Sequence, residues 1–391
     1  MSFAALTRLQ QGLAALQADH LERRRLLLDG AQGAQITING QRVVSFCSND
    51  YLGLAADPAV IAAGHAALDQ CGVGAGAAHL ITGHHRYHQD FETAFAQFVG
   101  KPAALLFSTG YMANLAVLTA LAGRRHLDRG GEVFGDKLNH ASLVDAAQLS
   151  GATFTRYRHG DLAQLESQLT KSDAPDKLIV SDLVFSMDGD IAPVDALLDL
   201  AERHDAWLFL DDAHGFGVLN DGRGGLTERA RASDRVIYLA TLGKAAGVSG
   251  AAVAAHAAVI DWLVQRARSY IYTTASPPML AACLLESLHQ IEAGEVRRER
   301  LRSHIMQLRQ GLAGLTLGVL MPSGTPIQPL VIGANADAVR ASQALLQHGL
   351  LVPAIRTPTV PVNTARLRIT LSAAHSADDV AQLIEALHAL G

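Results

Sequence analysis

The sequence predicts an α/β protein: a mostly parallel sheet with helices on both faces, followed by a smaller C-terminal α/β domain. Three observations carry this. From residue 103 onward, short apolar runs alternate with helical patterns. Three of those runs, Leu178–Val180, Trp207–Leu210 and Val236–Ala240, end about thirty residues apart, the length of a βαβ unit. The runs are continuously apolar rather than alternating, as strands covered on both faces are.

The elements follow in order. Leu6, Leu9, Leu13, Leu16 and Leu21 recur near helical spacing and predict a helix over 2–28. Ala34–Asn39 and Gln41–Phe46 predict two strands, joined by Asn39-Gly40, a hairpin turn signal. Sheet strands are expected at Ala104–Phe107, Glu132–Phe134 and the three runs above. The repeat stops at Ser276-Pro277-Pro278. A charged helical stretch follows from Met279 to Leu312, and its Glu295, Arg297, Arg298, Glu299, Arg300 and Arg302 read as a solvated face of interleaved charge. Strands are then expected at Gln328–Ile332, Leu350–Ile355 and Arg366–Leu371, with helices at Ala336–Gln347 and Ala377–Leu390. The chain divides on this reading into an N-terminal helix-and-hairpin segment (1–45), a large domain (46–283) and a small C-terminal domain (284–391).

Composition excludes several classes. Of 391 residues, 49% are apolar and 18% charged, with a net charge of −5. A charged share below the usual quarter or so suggests surface buried against another subunit. Thirty-two basic against 37 acidic residues give no footprint for nucleic acid or an anionic membrane. Cys47, Cys71 and Cys283 are too few and scattered for a disulfide framework or a thiolate metal site. No charge-free apolar stretch of about 18 residues is present, and Met1 to Arg25 lacks the layout of a signal peptide. A reduced, cytoplasmic protein is the expectation. His84, His85 and His88 lack the HExxH pattern and are not read as metal ligands.

In open parallel sheets, ligands bind beyond the carboxyl ends of the strands. Ser108 to Asn114, with Gly110, turns from a strand into a helix; it suits a phosphate, or has glycine simply for shape. Asp211-Asp212-Ala213-His214-Gly215 ends the next strand of interest; an acid there could bind Mg²⁺, hold a protonated heterocycle, or only shape a turn. Lys244, in Thr241-Leu242-Gly243-Lys244, would form an imine if desolvated, or lie on the surface. Walker A, dinucleotide-fingerprint and nucleophile-elbow patterns are absent. Taken together, an anion turn, an acid and a lysine at the ends of three strands of one sheet, with Ser186-Met187-Asp188-Gly189 at a fourth, match the needs of pyridoxal phosphate.

The chain resembles the α-oxoamine synthases, pyridoxal-phosphate enzymes with the aspartate-aminotransferase fold (fold type I). The resemblance rests on Asn49-Asp50-Tyr51-Leu52-Gly53, Asn139-His140-Ala141-Ser142, Val184 to Asp190, Asp211 to Gly215, Thr241 to Lys244 and Pro358-Thr359-Val360-Pro361, in the family's order. It implies that Lys244 holds the cofactor through an imine and that Asp211 keeps the pyridine nitrogen protonated. His140 would stack on the ring, and Ser186 and His214 would bond the ring oxygen. Gly110, Tyr111 and Thr241 would hold the cofactor or its phosphate. Arg368, with Asn49 nearby, would take the amino-acid carboxylate; Arg23, Arg356 and Thr359 match substrate positions.

Ile327 to Leu330, Ala354-Ile355-Arg356 and Ala365 to His375 are similar to the biotin-biosynthesis branch of the family. That branch condenses L-alanine with a pimeloyl thioester, on CoA or an acyl carrier protein, and releases CO₂. The resemblance also implies a homodimer with the site at the interface. Other members, using glycine with acetyl-CoA or serine with a long acyl-CoA, are the nearest alternatives; a NAD-dependent oxidoreductase is the alternative of another class. The chain departs from the family at Ala77-Ala78, at Asp182-Leu183 and at Thr357.

Overall fold

The computed structural model describes residues 3–18, 21–23, 25–123 and 130–391. The expected first helix is shorter than its leucine pattern, spanning Ala4–Ala18 with no buried residue. Leu6, Leu9, Leu13 and Leu16 are all exposed on this chain. Leucine spacing made the helix legible; without a surface to cover, the pattern does not carry it on to residue 28. Residues 19, 20 and 24 lie outside those described.

The hairpin forms at Gln35–Ile38 and Gln41–Ser45. Asn39 and Gly40 both adopt positive φ, 48° and 79°. Those are the angles of the two-residue turn whose twist matches the strands it joins.

Seven strands make the central sheet, in the order Ala103–Phe107, Ala251–Ala255, Val236–Thr241, Ala206–Asp211, Lys177–Asp182, Glu132–Asp136 and Thr153–Tyr157. Only Ala251–Ala255 runs antiparallel to its neighbours. Two of these strands escape the sequence reading. Ala251–Ala255 is almost all alanine, with Val253 its one branched side chain of the kind that marks a strand. It is fully buried between two strands, where small residues let both faces close. Thr153–Tyr157 is one of the two edge strands, the one that is polar because it meets water.

Alternate residues serve opposite faces. Leu208, Leu210, Tyr238 and Ala240 pack with the helices Arg86–Val99 and Pro278–Glu292. Phe209, Ile237 and Leu239 pack with the helices Gly110–Leu121, Ala141–Ser150 and Ala257–Arg266. The continuous apolar runs are therefore two period-two patterns superimposed.

The charged stretch after residue 278 is two helices, Pro278–Glu292 and Glu295–Gly311. The expected solvated face needs a correction here. Arg298 is 3% exposed and donates from Nη1 to Ile291 O at 2.6 Å. It thus adds a second donor to a carbonyl at the end of the first helix, which also accepts from Gly294 N at 3.1 Å. Arg297 bonds the Asp57 carboxylate and Leu52 O, while Arg302 stays outside with Glu295.

The expected strand 350–355 divides at Val352-Pro353. Leu350–Leu351 joins the hairpin sheet, parallel to Val44 and Ser45. Ala354–Ile355 pairs instead with Arg366 and Leu367 of the strand Ala365–Thr370. Proline has no N–H for the ladder, so the chain changes partners there.

Candidate active site

Because all strands but one share a direction, their carboxyl ends form one edge of the sheet. A cavity of about 160 Å³ opens there. It brings together Gly110, Tyr111, His140, Ser186, Asp211, His214, Thr241 and Lys244, the whole set expected to face one cofactor.

At one end, Thr109 caps the helix Gly110–Leu121, its hydroxyl accepting from Met112 N at 3.1 Å. The other N–H groups of that first turn and the positive end of the helix suit an anion. A Cβ on Gly110 would lie 2.7 Å from the Thr241 methyl, so only glycine lets the two strand ends approach this closely. Tyr111 is half-exposed and donates to Asp145 Oδ2 at 3.0 Å.

Deeper in, Asp211 is 5% exposed. Its carboxylate accepts from Ala213 N at 3.1 Å and from Asn114 Nδ2 at 2.8 Å. Two oxygens with about four acceptor sites leave it able to take a further donor from the cavity. Asp182 pairs with Asp211 in register on the neighbouring strand. Burial, reinforced by the Asp211 charge, raises the Asp182 carboxyl above the usual carboxylate range.

Lys244 donates to Thr241 Oγ1 at 3.1 Å. Burial lowers its pKa, against the pull of Asp211 and Asp182, which favour the charged form. A desolvated amine has more of the neutral, nucleophilic form.

Two imidazoles have defined tautomers. Tyr51 Oη lies 2.5 Å from His214 Nδ1. Burial pushes the Tyr51 hydroxyl up to about 12, so it keeps its proton. Burial, then the Lys244 charge, holds His214 well below its usual pKa and therefore neutral. The other acceptor near the hydroxyl, Asn49 Oδ1, is farther at 3.3 Å, and 2.5 Å is too short for an N–H···O bond, so Tyr51 donates to Nδ1 and Nε2 carries the hydrogen. Around His140, Asn114 Nδ2 donates to Ser142 Oγ at 2.8 Å, and Ser142 lies 2.7 Å from His140 Nδ1. Ser142 N also donates to that nitrogen, so the His140 hydrogen sits on Nε2. Burial lowers the His140 pKa as well.

Arg368, 6% exposed, meets neutral acceptors: Ser186 O at 2.6 Å, Thr370 Oγ1 at 3.1 Å and Asn49 Oδ1 at 3.3 Å. A buried cation without a carboxylate partner among the described residues suits an incoming anion. A second cavity of about 340 Å³ gathers Arg23, Arg356 and Thr359, with Leu16 and Leu21. These three substrate candidates thus lie together, outside the first cavity.

The sequence reading gave no role to Asn114, Tyr51 or Asp182. Asn114 stands four residues after Gly110, on the same helix face, which is the signal that could have found it. Tyr51 carries no such signal, because its partner is 163 residues away. His79, His84 and His88 cluster within 4.8 Å. His88 accepts from His85 N and faces Ser276 O, both at 2.9 Å, so its two nitrogens are already used in hydrogen bonds.

The class I and II aminotransferase profile matches residues 41–387. A protein of Thiobacillus denitrificans named 8-amino-7-oxononanoate synthase is 76% identical over 390 residues, covering 100% of both chains. The chain belongs to the class I and II aminotransferase family, in its 8-amino-7-oxononanoate synthase branch. A Herminiimonas arsenicoxydans synthase of the same name is 55% identical, covering 96% of this chain and 97% of its own. The crystal structure of the Francisella tularensis synthase matches with a TM-score of 0.76 at 32% identity, over 89% of this chain and 97% of that one. A serine palmitoyltransferase from S. paucimobilis, with PLP and myriocin bound, superposes with a TM-score of 0.91 at 28% identity, covering 99% and 98%. The fold is thus that of the type I pyridoxal-phosphate enzymes, as expected.

The synthase site fits pyridoxal phosphate on its own chemistry. A helix N-terminus stands for the phosphate, an unsaturated carboxylate for a ring N–H, and a buried amine for the aldehyde. The Asn114 Oδ1 atom is buried without a partner among the described residues, polar capacity left unused within the cavity wall.

Proposed function

We propose that the chain condenses L-alanine with a pimeloyl thioester, using pyridoxal phosphate, to give 8-amino-7-oxononanoate, a thiol and CO₂. The observation that carries this is the placement of Lys244 and Asp211 in one cavity at the sheet edge. When bound, pyridoxal phosphate supplies an aldehyde that captures amines and a ring that accepts an electron pair.

The protein's own groups do the rest. Asp211 accepts the ring N–H and so keeps the ring protonated. Lys244, which burial shifts toward its neutral form, would hold the cofactor at its aldehyde carbon and would serve as a base for the Cα proton of alanine. His214 and Ser186 offer hydrogens to the ring oxygen, and His140 covers the ring. Arg368 and Asn49 take the alanine carboxylate. Arg23, Arg356 and Thr359 supply charge and a hydroxyl for the far carboxylate of the acyl chain. The synthase names of the relatives support these substrates. The paired chains of a homodimer would enclose the site, which fits the exposed leucines of Ala4–Ala18. Three free cysteines fit a reduced cytoplasmic setting.

The test is thiol release from pimeloyl-CoA in the presence of L-alanine, with glycine and serine in parallel. Release should require alanine. Faster release with serine and palmitoyl-CoA would overturn the substrate assignment. Pimeloyl carrier protein, substituted for pimeloyl-CoA, identifies the donor by the lower KM.

A further inference from the structure

A third cavity, of about 130 Å³, has His159 in its wall between two carboxylates. Its Nδ1 is 3.1 Å from Asp136 Oδ1, and its Nε2 is 2.9 Å from Asp190 Oδ2. An ionised carboxylate can only accept, so both ring nitrogens donate and the ring is an imidazolium.

The two acids belong to the two segments that deliver His140 and Ser186. Asp136 ends the strand Glu132–Asp136, and its Oδ1 accepts from Leu138 N at 2.8 Å, shaping the turn into His140. Asp190 closes the Ser186 loop: its carbonyl accepts from Phe185 N at 3.0 Å, and Val184 bridges Ile191. Phe185, the residue before Ser186, sets its ring edge against His159 at 4.4 Å and 80°. The far side of the loop is held by Arg368 on Ser186 O and by Arg366 on Met187 O and Asp188. Ser323 and Thr325 hold the same loop at Gly189 O, and His159 is the side chain that ties its Asp190 end to the Asp136 strand. The titratable groups around His159 are Asp136, Asp190 and Tyr157, with the Arg158–Asp161 pair on its own segment.

We propose that His159 is a positioning residue, whose imidazolium bridge from Asp136 to Asp190 fixes Ser186 and His140 relative to each other. This rests on the proposed function for its consequence in turnover, but not for its geometry.

The experiment uses the full chain, uniformly ¹⁵N-labelled. Both His159 ring nitrogens should stay protonated from pH 6 to 9. A ring that loses a proton near the ordinary histidine pKa of about 6.5 would overturn the bridge. In His159→Gln and Asp190→Asn, the Ser186 amide and His140 ring resonances should shift. The absorption band of bound pyridoxal phosphate should move, and kcat should fall about tenfold with KM for pimeloyl-CoA within about twofold. Asp190→Asn leaves the buried Asp136 pair intact and so guards against misfolding. If both variants keep the parent resonances, absorption and kcat, the proposal is wrong. If the parent chain releases no thiol at all, the functional reading fails while the resonances still decide the bridge.

Discussion

Tyr51 and His214 are joined by a 2.5 Å hydrogen bond inside the protein, between the tyrosine hydroxyl and Nδ1 of the imidazole. The bond fixes which nitrogen of His214 offers a hydrogen to the cavity. Tyr51→Phe keeps the ring and its packing but frees His214 to adopt the other tautomer. Turnover should fall about tenfold, and stability by about 1 kcal/mol for one lost bond. Nitrogen NMR of His214 reads the tautomer directly. An unchanged Nε2–H form in the variant would sink the assignment.

Lys244→Ala removes the one amine in the cavity wall. The purified variant should lack the visible absorption of a lysine-bound cofactor and release no thiol. Spectra of parent and variant, purified side by side, settle it; a coloured variant would remove Lys244 from its role.

Asp211→Asn keeps the shape of the strand end and deletes the charge. The Ala213 N–H still finds an oxygen there, while Asn114, which bonds the other carboxylate oxygen, faces the new amide NH2. Bound cofactor should be retained, while the ring loses the acceptor that keeps it protonated. A fall in kcat of about a hundredfold or more is expected, the scale of losing one aligned charge interaction. Near-normal turnover would contradict the role.

Much of this was legible in the sequence, for physical reasons. The strands Lys177–Asp182, Ala206–Asp211 and Val236–Thr241 are buried on both faces, so their apolar runs stand out, and their ends point to Asp211 and Lys244. What stayed hidden depends on contacts between distant segments. Arg298 reads as one more charge in a polar helix, yet it is buried at the end of the helix before it. The strand Ala251–Ala255 looks helical because alanine favours helices, and only its two neighbours make it a strand. Tyr51 gained a role from His214, far away in the chain. Arg23, Arg356 and Thr359 were assigned by family resemblance alone, and only the fold shows that they share a cavity.

Arg356→Ala tests that second cavity. Deleting a charge that holds a carboxylate costs about 1.5–3 kcal/mol, so KM for pimeloyl-CoA should rise about ten- to a hundredfold. Exchange of the alanine Cα proton in deuterated water, measured without acyl donor, should be unaffected. Equal losses in both assays would move Arg356 out of the acyl pocket.

The His159 bridge also predicts how stability depends on pH. Hydrogen bonds to Asp136 and then Asp190 raise its pKa to about 10, from a usual value near 6.5. The folded state therefore holds a proton that the unfolded chain gives up more readily. Stabilisation from the bridge is fully present below about 6.5, declines as pH rises, and is gone above about 10. The urea midpoint of the parent chain should accordingly fall between pH 7 and 10 more steeply than that of His159→Gln. Acidification from pH 7 to 6 should not weaken the bridge, since the raised pKa keeps the ring charged. Parallel slopes for the two proteins between pH 7 and 10 would show that the ring does not hold its proton in the folded state.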